Sequence, residues 1–126
     1  MRLVRADDGA EVAGAVEVAR GFLGRFLGLM GRRALPAGGA LWLEPCDAVH
    51  MMFMRFPIDV VFVRRGRGEP LAPGAGGEVV GVRAGVRPWL GLARCPGATS
   101  AVELEAGRAA AVGVAPGQAL RLEGAA

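Results

Sequence analysis

His50-Met51-Met52-Phe53-Met54-Arg55-Phe56-Pro57-Ile58-Asp59-Val60-Val61-Phe62-Val63 is the hydrophobic centrepiece of this chain, and its reading decides the fold. The stretch is too apolar for a surface strand. Pro57 interrupts it, because proline has no ladder donor. Ile58 to Val63 is rich in β-branched and aromatic residues, the types that favour strands. The segment therefore reads as one kinked core strand in two pieces. Asp59 sits between Pro57-Ile58 and the apolar run Val60 to Val63, so its carboxylate is expected to be at least half buried. A buried charge needs donors. Arg55 or nearby backbone amides are the expected source, with Asp59 fixing the Pro57 turn.

Working toward the N-terminus, Ala40 to Leu43 is a short apolar run that follows Gly38 and Gly39 and is closed by Pro45. Phe22, Phe26 and Met30 recur at spacing four with Leu23 and Leu27 beside them, which predicts one principal helix over about residues 20 to 30. Its glycines weaken it by about 1 kcal/mol each, so packing must hold it. Residues 2 to 5 and 12 to 18 predict two strands joined by Asp7-Asp8-Gly9-Ala10, since Asp-Gly suits tight hairpins. Toward the C-terminus, Gly66 to Gly77 with Pro70 and Pro73 predicts a long loop. Glu78 to Val82 and Ala101 to Leu104 predict strands, separated by a connection containing Pro88-Trp89 and Cys95-Pro96. A helical turn within Gly107 to Val114 and a strand over Gln118 to Leu122 complete the reading. The expected fold is α+β and mainly β, either a curled antiparallel or mixed sheet or a partly closed barrel, with that one principal helix.

A chain of 126 residues fits one domain spanning 1 to 126. It buries roughly two-thirds of the surface of its unfolded form, so neither metal nor disulfide is needed merely to fold. A hydrophobic fraction of 52% with 21% charged residues is that of a globular protein. No apolar run reaches the roughly 20 residues of a membrane span. All fifteen basic side chains are arginine, Gly and Ala abound, and Asn and Tyr are absent, the bias of a GC-rich genome. The net charge of +3 and pI near 10.0 follow from arginine's high pKa more than from a basic surface. The densest cluster, Arg64, Arg65 and Arg67, lacks interleaved aromatics, which argues against nucleic acid as a partner. The N-terminus lacks the pattern of a secretory signal, so a cytoplasmic location with both cysteines reduced is expected.

In order along the chain, Gly28-Leu29-Met30, Leu35-Pro36, Gly39 to Leu43, His50 to Met54, Pro57-Ile58-Asp59, Phe62, Val102-Glu103-Leu104, Gly107 and Gly117 form a recognisable set. It resembles the bacterial and archaeal family called domain of unknown function 192. The resemblance implies a compact, mainly β domain with a Gly-Leu-Met helix end and a central Met-rich strand followed by an Ile-Asp turn. It implies no reaction. Many members carry a Met-Lys-Asn type sequence where this chain has Met54-Arg55-Phe56, so a role resting on that Asn does not carry over.

The reactive inventory is small. Thr99 and Ser100 are the only side-chain hydroxyls, His50 is the only histidine, and lysine is absent. That excludes a lysine Schiff base and a P-loop. A Ser-His-Asp hydrolase would need Ser100, His50 and Asp59 or Asp47, yet Ser100 lacks the Gly-x-Ser-x-Gly setting. The catalytic candidates are His50, Asp59, Cys46 and Cys95, a nearby base being able to generate a thiolate. For metal, Cys46, His50, Met52 and Met54 would share one face of a continuously extended strand and offer soft ligands suited to Cu(I). Residues two apart project about 7 Å from each other, so only the flexible Met side chains could converge. Core packing explains the methionines and cysteines equally well. Glu103, between Val102 and Leu104, is expected to face solvent, within reach of Arg94 or Arg83. Trp42 and Trp89 are core or pocket-wall residues, with Arg87-Pro88-Trp89 a possible lip. The leading expectation is a non-catalytic domain that binds a small molecule or peptide in a partly apolar groove near His50, Met52, Trp89 and Arg94. No cofactor is expected. An enzyme built on His50, Asp59 and a cysteine, and a soft-metal carrier, are the alternatives.

Overall fold

The computed structural model describes residues 1–20, 35, 38–51, 54–66 and 68–124. Its strands are β1 (Arg2–Arg5), β2 (Glu11–Ala13), β3 (Ala15–Arg20), β4 (Gly39–Glu44), β5 (Ala48–His50), β6 (Ile58–Arg64), β7 (Gly76–Val86), β8 (Leu92–Arg94), β9 (Ser100–Glu105) and β10 (Ala119–Glu123). A single turn of helix, α1 (Arg108–Ala111), joins β9 to β10. Eight strands form one mixed sheet in the order β2-β1-β10-β7-β6-β9-β4-β3. β5 and β8 form a separate two-stranded ribbon. The expected helix over about residues 20 to 30 lies outside the described residues.

β6 lies near the middle of the large sheet, antiparallel to β7 on one side and β9 on the other. Both sheet faces are covered there, which is why its sequence is a continuous apolar run rather than an alternation of apolar and polar residues. The period of two still sorts its side chains. Val61 and Val63 join Trp42 of β4 and Val102 and Leu104 of β9 in one cluster. Ile58, Val60 and Phe62 join Leu41 and Leu43 of β4 in the cluster on the opposite face. Val49, Met51, Met54 and Ala93 belong to that second cluster, so the β5–β8 ribbon is its lid. Ala109 of α1 closes the first.

The sheet curls without closing into a barrel. Val16 N donates to Met1 O at 2.9 Å near the two outer strands, but β2 and β3 do not form a ladder. Several expected boundaries move. Gly14 splits the run 12 to 18 into β2, which pairs antiparallel with β1, and β3, which pairs parallel with β4. Gly76 and Gly77 are already strand, so the connection placed at 66 to 77 ends at Ala75. A Cβ on Gly76 would collide with Leu120's carbonyl oxygen in the adjoining β10, which explains glycine inside a strand. The centrepiece is not one kinked strand: β5 and β6 belong to different sheets.

β1 and β10 bring the two ends of the chain together, Arg2 opposite Glu123. Hydrogen bonds from Arg121 at 2.8 Å and Arg2 at 2.7 Å hold the Glu123 carboxyl below its ordinary pKa. A depressed folded-state pKa contributes stability above the unfolded value and loses it as pH falls through the folded value. Glu123→Gln is thus expected to melt below the wild type near neutrality, the gap closing in melts taken as pH drops below about 4.

Candidate functional site

Asp59 is completely buried, and all three donors to its carboxylate are backbone amides. Oδ1 accepts from Gly85 N at 2.9 Å, and Oδ2 accepts from Gly107 N at 3.1 Å and Ala109 N at 3.0 Å. Gly85 (φ 59) and Gly107 (φ 89) both occupy the left-handed backbone region that glycine tolerates without cost. Of the two expected sources, Arg55 and nearby backbone amides, backbone amides are the donors, but they come from β7, the turn after β9 and α1, far from Asp59 in sequence. A carboxylate so enclosed is a structural pin, its charge spread over three dipoles.

Ser100 is also fully buried, and its hydroxyl donates to Glu44 Oε1 at 2.5 Å. Thr99 Oγ1 donates to Val63 O at 3.1 Å and accepts Arg65 N at 2.9 Å. The Arg65 side chain, 1% exposed, pairs with Glu44 at 3.1 Å and donates to the carbonyls of Glu69 and Pro70. Glu44 was not singled out in the sequence and Arg65 only as one of an arginine cluster, since nothing in the order of residues announces this meeting of β4, β6 and β9. The two hydroxyls of the chain are therefore committed to an ion-paired knot rather than to His50. Glu103, expected to face solvent, is only 5% exposed, being opposite Leu41 on one side and Val60 on the other.

The remaining candidates gather on or beside the ribbon. His50 is exposed and directly opposite Leu92, and Arg94 is opposite Ala48. Cys95 N donates to Asp47 O at 2.9 Å, extending the same register. Cys46 Sγ donates to Ala48 O at 3.1 Å and Cys95 Sγ to Val80 O at 3.8 Å. The extended stretch that carries His50 is short. β5 ends at His50, Met54 N donates to Met51 O at 3.0 Å, and Met54 is buried while His50 is exposed. Met52 lies outside the described residues. Among the described residues no three His, Cys, Asp or Glu side chains are grouped to hold a metal ion.

At the end of the ribbon, Arg87 to Gly91 forms a tight turn. Leu90 N donates to Pro88 O at 2.7 Å across Trp89, whose φ of 66 makes this a γ-turn of the rare, strained hand. Trp89 N to Met51 O at 2.7 Å and Met51 N to Gly91 O at 2.9 Å lock it in place. Trp89, Leu90 and Leu92 are 55%, 90% and 66% exposed. A groove of about 560 Å³ runs beside them, lined by Val82, Arg83, Ala84 and Val86 of β7 and by Arg87 and Leu90 to Leu92.

Asp59→Ala leaves three buried amides without an acceptor at about 1 to 3 kcal/mol each, so a loss of at least about 3 kcal/mol is expected in denaturant melts. Asp59→Asn keeps one acceptor oxygen but turns an NH₂ toward an amide, and is expected to fall between wild type and Asp59→Ala.

No curated protein matches the chain significantly. Two crystal structures share its fold. A protein of unknown function from Novosphingobium aromaticivorans superposes with a TM-score of 0.76 at 21% identity, covering 97% of this chain and 84% of the other. A Sinorhizobium meliloti protein, described provisionally as a transcription regulator, superposes with a TM-score of 0.72 at 22% identity, covering 95% and 89%. The family model for domain of unknown function 192, described as "Uncharacterized ACR", matches residues 3–122. The chain belongs to that family, whose function is unknown.

Proposed function

We propose that the protein is a non-catalytic binding domain that takes a small molecule or peptide segment on the surface formed by the β5–β8 ribbon and the Arg87 to Gly91 turn. One observation carries this reading. Trp89 is held at φ 66, a conformation that costs a non-glycine residue roughly 1–3 kcal/mol, and the structure spends that strain to present a large aromatic at 55% exposure. Leu90, Leu92 and His50 adjoin it, and exposed apolar groups gathered beside a groove are the usual mark of a binding surface. Tryptophan beside arginine is a frequent anchor pair in such surfaces.

The engagement of Asp59 by amides and of Ser100 by Glu44 supports a binding role over the enzyme alternative, because neither group is left to meet a substrate. A nucleic-acid role has less support. Single-strand binding uses a series of stacking rings, whereas among the described residues Trp89 is the one exposed aromatic. A cytoplasmic setting agrees with Cys46 and Cys95 donating as thiols to backbone carbonyls.

The test uses the full-length, ¹⁵N-labelled protein titrated with pooled short peptides and with a library of small aromatic fragments. Binders are expected to shift the amide signals of Trp89 to Leu92. Trp89→Gly suits the positive φ and keeps the fold, yet is expected to weaken the same binders about thirtyfold, the scale of an aromatic anchor. Binders that leave those signals and that affinity unchanged would contradict the proposal.

A further inference from the structure

The groove beside Trp89 also runs along a strand edge. β7 extends from Gly76 to Val86, but β10 and the residues leading into it accompany it only as far as Val79. Beyond that point β6 is its partner among the described strands. Val82 O points away from β6: it accepts Arg83 Nη1 at 3.2 Å, while Arg83 Nη2 donates to Arg94 O at 3.2 Å. An exposed arginine side chain, not a neighbouring backbone, thus meets the Val82 carbonyl. Gly91 forms part of the opposite wall, where a Cβ would collide with Arg87's carbonyl oxygen.

Charge marks the same place. Arg2, Arg5, Arg64, Arg65 and Arg121 each lie within ion-pair distance of a carboxylate. Among the described residues Arg55, Arg83, Arg87, Arg94 and Arg108 have none; Arg83 and Arg87 line the groove, Arg94 is on β8, and Arg108 donates instead to the carbonyls of Val12 and Glu11. Asp47, the acid on this ribbon's flank, lies across from Cys95 at its other end. The slot therefore combines an open strand edge, an apolar wall of Leu90 and Leu92, and guanidinium groups in need of anions. A second copy of this chain, adding its own β7, would set arginine against arginine.

Resting on the binding reading above, we infer that the groove takes an extended acidic peptide as an added strand along β7 from Val82 to Val86. The peptide main chain replaces Arg83 at the Val82 carbonyl. Its alternate apolar side chains lie against Leu90 and Leu92, and its carboxylates meet Arg83 and Arg87. This is strand addition, in which backbone hydrogen bonds give affinity and side chains give selectivity. The same arginines would also suffice to guard an edge against aggregation, so the experiment must separate the two roles.

Two immobilised libraries of seven-residue peptides with alternating apolar positions serve as probes, one carrying Asp or Glu at the polar positions and the other Lys or Arg. The wild-type protein is expected to prefer the acidic library about tenfold, the upper range for two exposed ion pairs. Arg83→Glu combined with Arg87→Glu is expected to reverse that preference. N-methylation of alternate peptide amides is expected to abolish binding in one register and spare it in the other. Peptides that need Trp89 but show no charge preference, or that tolerate N-methylation in both registers, overturn the acidic-strand inference and leave the binding surface standing. Binding of neither library, or a concentration-dependent dimer that Arg83→Glu strengthens, assigns the arginines to guarding the edge or the edge to self-association, and overturns it as well.

Discussion

The carboxylate of Asp59 is the constraint on which the rest of this structure depends. It stands in the strand nearest the centre of the sheet, in a run covered on both faces, where an ionised group has no access to water. Its cost is offset only because three amides converge on it, from β7, the turn after β9 and α1. Those donors fix where β7 bends, how the chain leaves β9 and where the single turn of helix closes its face of the core. The need for left-handed backbone at Gly85 and Gly107 follows from the same convergence, since other residues pay roughly 1–2 kcal/mol there.

A second polar knot, Arg65 with Glu44, Ser100 and Thr99, ties the strands β4, β6 and β9 to the connection that follows β6. An ion pair of this kind gives little net stability compared with apolar side chains of equal volume, but removing one partner strands the other. The two knots consume both hydroxyls and the most buried carboxylate of the chain. Among the described residues, the ribbon of β5 and β8 and the turn beside it expose a tryptophan, two leucines, a histidine and arginines with no carboxylate partner.

Much of the sheet was legible in the sequence because strands buried on both faces leave a plain signature of β-branched and aromatic residues, as in Ile58 to Val63 and Ala101 to Leu104. The burial of Asp59 was legible for the same reason. Its donors were not, because they lie 26, 48 and 50 residues away. β8 escaped notice because three residues between Pro88 and Pro96 carry too little periodicity to distinguish a strand from a loop. Without β8 the sequence could not show that His50 is opposite Leu92 across a ribbon. Glu103 was misread because alternation places a side chain on a face but does not say which faces are covered.

Amide hydrogen exchange of the unmodified protein tests the central role of Asp59 most directly. Gly107 and Ala109 lie in a turn and a one-turn helix, positions that ordinarily exchange through local opening. If Asp59 pins them, their amides exchange as slowly as those of Val60 and Phe62 in the centre of the sheet, and only with global unfolding. Exchange at the rapid rate of a frayed turn, with the β6 amides still protected, would contradict the account.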